Sequence, residues 1–451
     1  MSADALAAPP RFRGRMPLLR FLRTLKDSSV ATYGDEMFEE AIVERRVLWQ
    51  RFLIVNAPRG IQRVLLDNAG NYVKSRIARR LVEPGIGRGL LTSEGDTWRR
   101  QRRIMAPSFD HRSLTSYVPA MTEATTALLE RLDRLPDRAP LDMSVEMMRL
   151  TLKIIARTMF STDAEDVGPI VEDAVGRYQR EVRPGLLDLL NLPDWWPRPA
   201  TRRWPHIFDR FDAVIDRLMA RGVTAGGDRH DLLTRLLSAR DAETGCAMEP
   251  REVRDQVVTI FMAGHETTAQ ALTWTWYLLS QHPAEEAKFH SELERVLGGR
   301  ALTFEDIGEL RYTRMVLEES MRLYPPAHTM SREALAEDEV EGHRVPKGSV
   351  VSIVPWVLHR HRLLWDRPTV FDPERFAPEQ AAARPRFAYI PFGGGPRICI
   401  GAAFAMTEAM IILAMLAQRY RLRLAPGAVV EPVGLITLRP RNGLPMLLER
   451  R

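Results

Sequence analysis

Apolar residues recur at every third or fourth position through most of the chain, a spacing that predicts amphipathic helices. Prolines and paired glycines separate these stretches, because both interrupt regular helix. The predicted helices cover Met121–Leu132, Met143–Met159, Phe208–Arg221, Pro250–His282, Tyr312–Leu323 and Gly401–Tyr420. The helix from Pro250 is the longest, and a rise of about 1.5 Å per residue would carry it across the whole molecule.

Strand-like patterns occur near the two ends of the chain. Val47–Val55 predicts one short strand, and Ile61–Leu66 is an apolar element whose type the pattern leaves open. His343–Ile353 and the stretch from Val429 also predict strands and turns. The fold class is therefore mainly α with small β-sheets (α+β). No repeat or linker interrupts this order, so residues 1–451 are expected to form a single domain.

The composition is that of a globular protein, with 45% hydrophobic and 27% charged residues. A net charge of +6 is too small and dispersed to indicate nucleic-acid binding, but it favours an acidic protein partner. The two cysteines, Cys246 and Cys399, make no disulfide framework, so a reducing, cytoplasmic location is expected. The apolar run Ala409–Ala417 is shorter than the roughly 20 residues of a bilayer span and predicts a buried helix, not a membrane span.

The segment Phe392–Gly401 (FGGGPRICIG) carries the most specific chemistry in the sequence. Its three glycines allow the backbone to approach a flat ligand closely and to adopt positive φ angles without strain. Cys399 lies just before a predicted helix, where backbone N–H groups and the helix dipole favour a negatively charged sulfur. A thiolate ligand to iron needs these conditions. The alternative is a structural cysteine buried in a glycine-rich turn.

The full spacing of this segment favours the iron ligand. The pattern F-x-x-G-x-R-x-C-x-G resembles the haem-binding loop of the cytochrome P450 family and is formed by Phe392, Gly395, Arg397, Cys399 and Gly401. The resemblance implies that Cys399 is the axial ligand of haem b, and that the haem is also contacted by Phe392, Gly393, Arg397 and Gly401. The chain has no C-x-x-C-H, which excludes a c-type haem.

The same resemblance assigns partners to the haem propionates. Trp98-Arg-Arg-Gln-Arg102 is similar to the family's W-x-x-x-R, and a spacing of four puts Trp98 and Arg102 on one helix face. Arg332 occupies a position that resembles another propionate arginine. With Arg397, three guanidinium groups would bind two carboxylates, a match suited to bidentate pairing.

A further part of the resemblance is structural. Glu319 and Arg322 match the family's E-x-x-R, and residues three apart on a helix are neighbours that can form an ion pair. Phe371–Phe376 is similar to the family segment whose arginine, here Arg375, completes the network. The resemblance implies that Glu319, Arg322 and Arg375 support the cysteine loop and do not act in catalysis.

The long helix contains Ala263–Ala269 (AGHETTA), which fits the family's A/G-G-x-D/E-T. A glycine in mid-helix, Gly264, costs roughly 1 kcal/mol relative to alanine and predicts a bend that leaves room for dioxygen and water. Glu266 and Thr267 form an adjacent acid–alcohol pair. Thr267 would hold water near the reacting oxygen, and Glu266 would relay protons from solvent. The alternative is a kinked core helix with a tolerated glycine.

Several apolar segments resemble the family's variable substrate-contact regions. They predict a hydrophobic pocket lined by Ile86, Ile260, Ala263, Ala327, Met330 and Ile436. Trp195 and Trp196, flanked by Pro193 and Pro197, predict a mobile access lid.

We therefore expect a haem-thiolate monooxygenase that inserts one oxygen atom from O2 into a hydrophobic small molecule. No fused reductase domain is indicated, so electrons would come from a separate ferredoxin and ferredoxin reductase. The basic cluster around Arg99 and Arg103 is a hypothetical docking site for an acidic ferredoxin. The alternatives are an oxidative coupling or desaturating enzyme, a peroxygenase and a haem-binding gas sensor. The Glu266–Thr267 pair argues against the last two.

Overall fold

A computed structural model of the chain describes residues 6–161, 212–217 and 231–451, with a few isolated residues between them. The chain divides into two compact units. Unit 1 comprises Met1–Ser75, Thr125–Met148 and Thr267–Arg451, and unit 2 comprises Arg76–Ala124 and Arg149–Glu266.

Helices account for most of the regular structure. In chain order, those of the described residues are α1 (Leu18–Asp27), α2 (Pro58–Gln62), α3 (Arg76–Ile86), α4 (Gly95–Met105), α5 (His111–Leu132), α6 (Met143–Phe160), α7 (Leu232–Ser238), α8 (Pro250–Gln281), α9 (Pro283–Leu297), α10 (Arg311–Leu323), α11 (Pro355–Leu358), α12 (Pro378–Ala383) and α13 (Ala402–Arg419).

The strands form small sheets in unit 1. They are β1 (Ile42–Val47), β2 (Gln50–Val55), β3 (Tyr72–Lys74), β4 (Ala139–Asp142), β5 (Met330–Ala334), β6 (Asp338–Val340), β7 (His343–Val345), β8 (Val350–Ile353), β9 (Tyr420–Leu424), β10 (Pro432–Gly434), β11 (Leu438–Pro440) and β12 (Pro445–Arg450). The largest sheet has the order β1-β2-β8-β5-β3, and β2 and β8 are its parallel pair. A second sheet has the order β4-β12-β9, and β6–β7 and β10–β11 pair separately.

The predicted mainly α fold with small sheets is confirmed. The long helix begins at Pro250, where proline suits the first turn, and ends before Pro283, whose ring cannot continue a helix. The prediction for Phe208–Arg221 lies mostly outside the described residues. One described helix, α13, could cross a membrane by length and composition, but 61% of its apolar window is buried inside the fold, so it is weak support for a span.

The single strand predicted over Val47–Val55 is wrong. The chain forms an antiparallel hairpin there, in which Val47 pairs with Gln50 across a turn at Leu48 and Trp49. The pattern was misleading because both turn residues are large and apolar, whereas turns usually contain glycine or asparagine. Leu48 adopts a φ of 52°, and the two side chains are exposed.

The core beside the large sheet reaches the glycine-rich segment. Leu53, Val351 and Ile353 of the sheet pack in one buried cluster with Leu65, Phe387 and Ile390. Ile390 lies two residues before Phe392, so this core anchors the chain where the cysteine loop begins.

A buried ion pair links α10 to the segment after α11. Arg322 and Glu319 have no exposed surface, and the guanidinium donates two hydrogen bonds to the Glu319 carboxylate, at 2.6 and 2.7 Å. Its other bonds go to three backbone oxygens, at 2.8, 2.8 and 3.0 Å, which belong to His359, Pro368 and Val370. Every N–H of the guanidinium therefore has an acceptor. These hydrogen bonds offset the free-energy cost of burying the charge.

The carboxylate of Glu319 also contacts the segment that contains Asp372 and Arg375. It accepts a hydrogen bond of 2.9 Å from the backbone N–H of Asp372. The Nε of Arg375 lies 3.6 Å from Glu319 Oε1, an ion-pair distance and too long for a hydrogen bond. The structure thus brings together the three residues of the network that the sequence suggested.

Arg322→Lys should lower the free energy of unfolding by about 3 kcal/mol or more, because lysine keeps the buried charge but cannot supply the five directed donors. Denaturant unfolding followed by circular dichroism measures the loss. Arg344→Lys, in an exposed pair with Glu337 at 2.7 Å, is the matched control and should cost under about 1 kcal/mol. Equal losses in the two variants would show that the buried network contributes nothing special.

Candidate functional site

The cysteine loop is held in a left-handed turn. Gly393 and Gly395 have φ angles of 75° and 67°, which glycine adopts without strain. The backbone N–H of Cys399 donates to the carbonyl of Phe392 at 2.9 Å and closes the loop. Gly401 is the N-cap of α13, so Cys399 lies just before a helix, as predicted.

The glycines serve different purposes. A Cβ on Gly395 would lie 1.8 Å from the carbonyl oxygen of Leu65, and one on Gly394 would lie 2.7 Å from Cε1 of Phe387. These two glycines are therefore required by the approach of protein atoms. A Cβ on Gly393 would meet only the Cε of Met330, at 3.9 Å, so this glycine leaves one side of the loop open to a flat ligand.

Cys399 itself is exposed. This contradicts the alternative of a structural cysteine buried in a turn, and it fits a sulfur presented to a ligand. Cys246 is also exposed and free, but it lies in a turn beside Thr244 without a glycine cradle. Among the described residues, the geometry of a thiolate ligand is therefore found at Cys399.

A histidine that the sequence did not single out supports the loop. His359 has no exposed surface, and its Nε2 accepts a hydrogen bond of 3.0 Å from the N–H of Ile390. The carbonyl of Ile390 in turn accepts from the N–H of Gly393 at 3.0 Å. Arg322 donates to the carbonyl of His359, so three hydrogen bonds and the imidazole ring connect the buried ion pair to Gly393 of the loop. No motif marks His359, although it lies in the charged run His359-Arg-His-Arg362.

Burial lowers the pKa of His359 well below its ordinary value, and the positive charges of Arg322 and Arg360 lower it further. The ring is therefore neutral at physiological pH. A neutral ring can keep Nε2 as an acceptor, which the N–H of Ile390 requires.

The proposed propionate partners are distributed over both units. Arg332 is half-buried on β5, where it pairs with Lys74 of β3, and Arg397 is half-buried in the cysteine loop of the same unit. In unit 2, Trp98 and Arg102 are both half-buried on α4, four residues apart.

Within unit 2, buried polar groups tie α4 and the loop after α3 to α8. Gln101 has no exposed surface, accepts from the hydroxyl of Ser93 at 2.7 Å and donates to the carbonyl of Arg88 at 3.1 Å. The N–H of Arg88 donates to Asp255 at 2.7 Å, and that of Leu90 donates to the Gln256 amide at 2.8 Å. Sequence reasoning missed these side chains, because their partners are distant in the chain.

The acid–alcohol pair lies in the middle of α8. Glu266 is 2% exposed, and Thr267 is half-buried. α8 is helical throughout, and a Cβ on Gly264 would lie 2.7 Å from Cδ1 of Ile155, which is a reason for this glycine in addition to the predicted bend. The glycine therefore permits close packing of α6 against α8. The hydroxyl of Thr151, also on α6, donates to the carbonyl of His265 at 2.9 Å.

The predicted pocket residues differ in exposure. Ile86 and Ile260 are buried in unit 2, whereas Ala263 of that unit is exposed. In unit 1, Met330 is half-buried beside Gly393, and the exposed positions are Ala327 and Ile436. The predicted lid at Trp195 and Trp196 lies outside the described residues.

The basic cluster on α4 is only partly available to a partner. Arg103 forms two hydrogen bonds to Asp241, at 2.8 and 2.9 Å, and lies 3.1 Å from Glu243. The Arg103 guanidinium holds the pKa of Asp241 well below its usual range. Arg103 therefore stabilises unit 2 itself. Among the described residues, Arg99 pairs with the exposed Asp96 in the same helix, and it keeps most of its surface in solvent.

Glu408 is a second residue that the motifs did not mark. It has no exposed surface on α13, and burial raises the pKa of its carboxyl well above the ordinary value. The nearby side chain of Thr268, the residue after Thr267, opposes this shift. The available signal was a lone acid within the apolar helix Ala402–Arg419.

Comparison with known proteins identifies the family. A family model described as Cytochrome P450 matches residues 17–442. Cyclooctatin synthase of Streptomyces melanosporofaciens is 39% identical over 90% of this chain and 86% of its own length. Cyclooctat-9-en-7-ol 5-monooxygenase of the same organism is 36% identical over 94% of this chain and 90% of its own length. Pentalenene oxygenase of Streptomyces avermitilis is 33% identical over 83% of each chain. The chain belongs to the cytochrome P450 family.

The expected activity is confirmed at this level. As a cytochrome P450, the protein is a haem-thiolate monooxygenase that binds haem b through a cysteine thiolate. It uses O2, a hydrophobic substrate and redox partners. The exposed Cys399, the open side of Gly393 and the half-buried Arg332 and Arg397 fit such a haem.

Gly395→Ala should reduce haem incorporation and lower the free energy of unfolding by clearly more than 1–2 kcal/mol. The new Cβ meets a backbone oxygen in addition to the strain of a positive φ. Haem content per chain and denaturant unfolding measure the two effects. Gly427→Ala is the control, because its φ of 77° is similar but its Cβ would meet nothing within 4 Å. If both variants lose the same amount, the contact with Leu65 does not constrain the loop.

His359→Gln should reduce the acid sensitivity of the protein. Unfolded His359 takes up a proton near pH 6.5 and folded His359 does not, so folding loses stability as the pH falls below 6.5. This one group contributes up to about 1.4 kcal/mol per pH unit. Glutamine keeps an acceptor but does not titrate, so the unfolding free energy should fall less steeply between pH 6.5 and 5. An unchanged slope would mean that folded His359 is protonated in this range.

Proposed function

We propose that this monooxygenase oxidises a terpenoid, with electrons from a ferredoxin and ferredoxin reductase in the cytoplasm. The observation that supports the substrate class is the identity of 39% and 36% to two Streptomyces enzymes named for cyclooctatin and cyclooctat-9-en-7-ol. The pentalenene oxygenase supports the same class. These relatives match nearly the whole chain.

The haem, when bound, supplies the activation of O2. Cys399 would bind the haem iron through its thiolate, and Phe392, Gly393 and Gly401 of the loop would contact the haem. The neutral ring of His359 accepts a hydrogen bond from Ile390, next to the loop, and Arg322 donates to the carbonyl of His359. These contacts support the loop. The proposed propionate partners, each half-buried, are Trp98, Arg102, Arg332 and Arg397.

Proton delivery is assigned to Glu266 and Thr267. Glu266 is almost fully buried, and Thr267 follows it on α8 with part of its side chain accessible. In this arrangement the threonine hydroxyl orients water, and the carboxyl group transfers protons to it from solvent. The hydroxyl of Thr273, further along α8, donates to the carbonyl of Ala269 of the same helix at 2.7 Å.

The proposed substrate contacts are apolar. Met330 lies beside the open side of the cysteine loop, and Ala327 and Ile436 of the same unit are exposed. Ile86, Ile260 and Ala263 are the corresponding positions of unit 2. Such a lining favours a hydrocarbon skeleton with few polar groups.

For the ferredoxin, Arg99 is an arginine of α4 whose side chain remains largely in solvent. Arg103 is less suited to this role, because its guanidinium is paired with Asp241. The docking proposal therefore rests on Arg99 and the mildly basic net charge of +6.

Spectral titration of the purified haem protein tests the substrate class. A terpene hydrocarbon or terpene alcohol should shift the spin state of the haem iron at micromolar concentration. Fatty acids of similar carbon number, as the comparison series, should bind at least tenfold more weakly. A preference for fatty acids or for aromatic compounds would refute the terpenoid assignment without affecting the family.

Thr267→Ala should retain haem and substrate binding but lower the fraction of NAD(P)H electrons recovered in product by about tenfold or more. Thr273→Ala is the matched control, since it removes a hydroxyl that donates to the carbonyl of Ala269 in the same helix. Product and NAD(P)H are measured together with a surrogate ferredoxin system. Full coupling in Thr267→Ala, or equal uncoupling in both variants, would contradict the proton-delivery role.

A further inference from the structure

Arg360 is a buried cation without a carboxylate partner among the described residues. It is 4% exposed, and its Cζ lies 3.6 Å from the ring centroid of Trp356. Its side chain forms one long hydrogen bond there, of 3.4 Å, to the carbonyl of Trp356. A guanidinium carries five N–H donors, so most of its hydrogen-bonding capacity is unaccounted for. Burying such a group without partners is costly.

Arg360 lines a pocket of about 40 Å³ that is open to solvent on one side. We call it the N-terminal pocket, because Leu6–Arg11 form one wall. Tyr33 and Trp356 are on other sides, and Arg360 and Thr369 complete the lining. Nε and Nη2 of Arg360 have no hydrogen bond among the described residues, yet they are not enclosed by protein atoms.

The charges around the pocket are unequal. Arg11, on the pocket wall, lies 3.3 Å from Asp35, but Asp35 is also bound by Arg362 at 2.6 Å. Arg322, whose charge is felt at Arg360, already takes both oxygens of Glu319. Among the described residues, the two nearby carboxylates, Asp35 and Glu319, are therefore bound by other arginines, and neither forms an ion pair with Arg360. Burial lowers its pKa to about 9, so at pH 7 it is still charged.

We propose that the N-terminal pocket binds a small monovalent anion, chloride in solution, between the guanidinium groups of Arg360 and Arg11. Apolar and aromatic walls favour a weakly hydrated anion over phosphate or sulfate. None of the residues that line this pocket is among the proposed haem or substrate contacts.

The anion would join the N-terminal segment to the body of unit 1. That segment also makes direct polar contacts with the rest of the unit. The carbonyl of Ala7 accepts from the hydroxyl of Tyr324 at 2.8 Å, and the carbonyl of Phe12 accepts from the N–H of Asp35 at 2.9 Å. An anion bound to both Arg11 and Arg360 adds a bridge between these two contacts.

Crystals of the haem protein soaked in bromide, with gluconate as the other anion, locate the site directly. The expected result is an anomalous peak at hydrogen-bonding distance from Arg360. In solution, replacing 100 mM gluconate by bromide at constant ionic strength should raise the melting temperature by about 1.5 °C if the dissociation constant is about 10 mM. Acetate in place of bromide tests whether a carboxylate binds instead. Water alone at the site, with no anion-specific stabilisation, would overturn the proposal.

Thr369→Glu is the decisive variant, since Arg360→Gln risks misfolding. The exposed Thr369 lines the pocket, so a glutamate there supplies an internal carboxylate and should abolish both the peak and the bromide-specific stabilisation. Thr369→Gln, without the charge, should retain them. Equal behaviour of the two variants would refute the site.

Asp4 lies outside the described residues and is the acid nearest in sequence to the pocket wall. If Asp4→Asn is needed before bromide can bind, the chain's own carboxylate fills the pocket and the proposal fails. Bromide binding that is the same with and without Asp4 supports it.

Discussion

The arrangement of unit 1 around the cysteine loop depends on the buried guanidinium group of Arg322, in which every N–H donates a hydrogen bond. A buried charge is tolerated only when every donor has an acceptor, and here the acceptors are Glu319 and three backbone carbonyls of a segment that lacks regular structure. Because that segment also provides His359, the same ion pair determines where the imidazole ring lies. The ring accepts a hydrogen bond from the N–H of Ile390, and the cysteine loop begins two residues later, at Phe392.

Hydrogen bonds through His359 and Ile390 position the loop at its start, and packing against Leu65 and Phe387 positions its glycines. Gly395 lies so close to the backbone of Leu65 that no side chain fits, and Gly394 lies against Phe387. Only Gly393 has an open side. Gly394 and Gly395 therefore allow the loop to pack tightly against the protein, whereas Gly393 leaves room for a ligand. Cys399 of the same loop is exposed.

Two arginines show how the surroundings decide the role of a charge. Arg103 lies in a basic run on α4, yet its pairing with Asp241 makes it part of the internal structure of unit 2. Arg360 is more deeply buried but lacks such a partner among the described residues, and it lines a pocket. The first charge is therefore neutralised within the fold, whereas the second calls for an external anion.

Features encoded at short spacing were predictable from the sequence: several of the helices, the Glu319–Arg322 pair at i, i+3, and the glycine-rich loop that contains Cys399. The hairpin at Leu48 was missed, because an apolar turn has no local signal. Tertiary structure alone decided the role of His359, the reason for Gly395 and the pairing of Arg103. These depend on residues far apart in the chain, and periodicity records which face of an element is buried but not which distant atom lies against it.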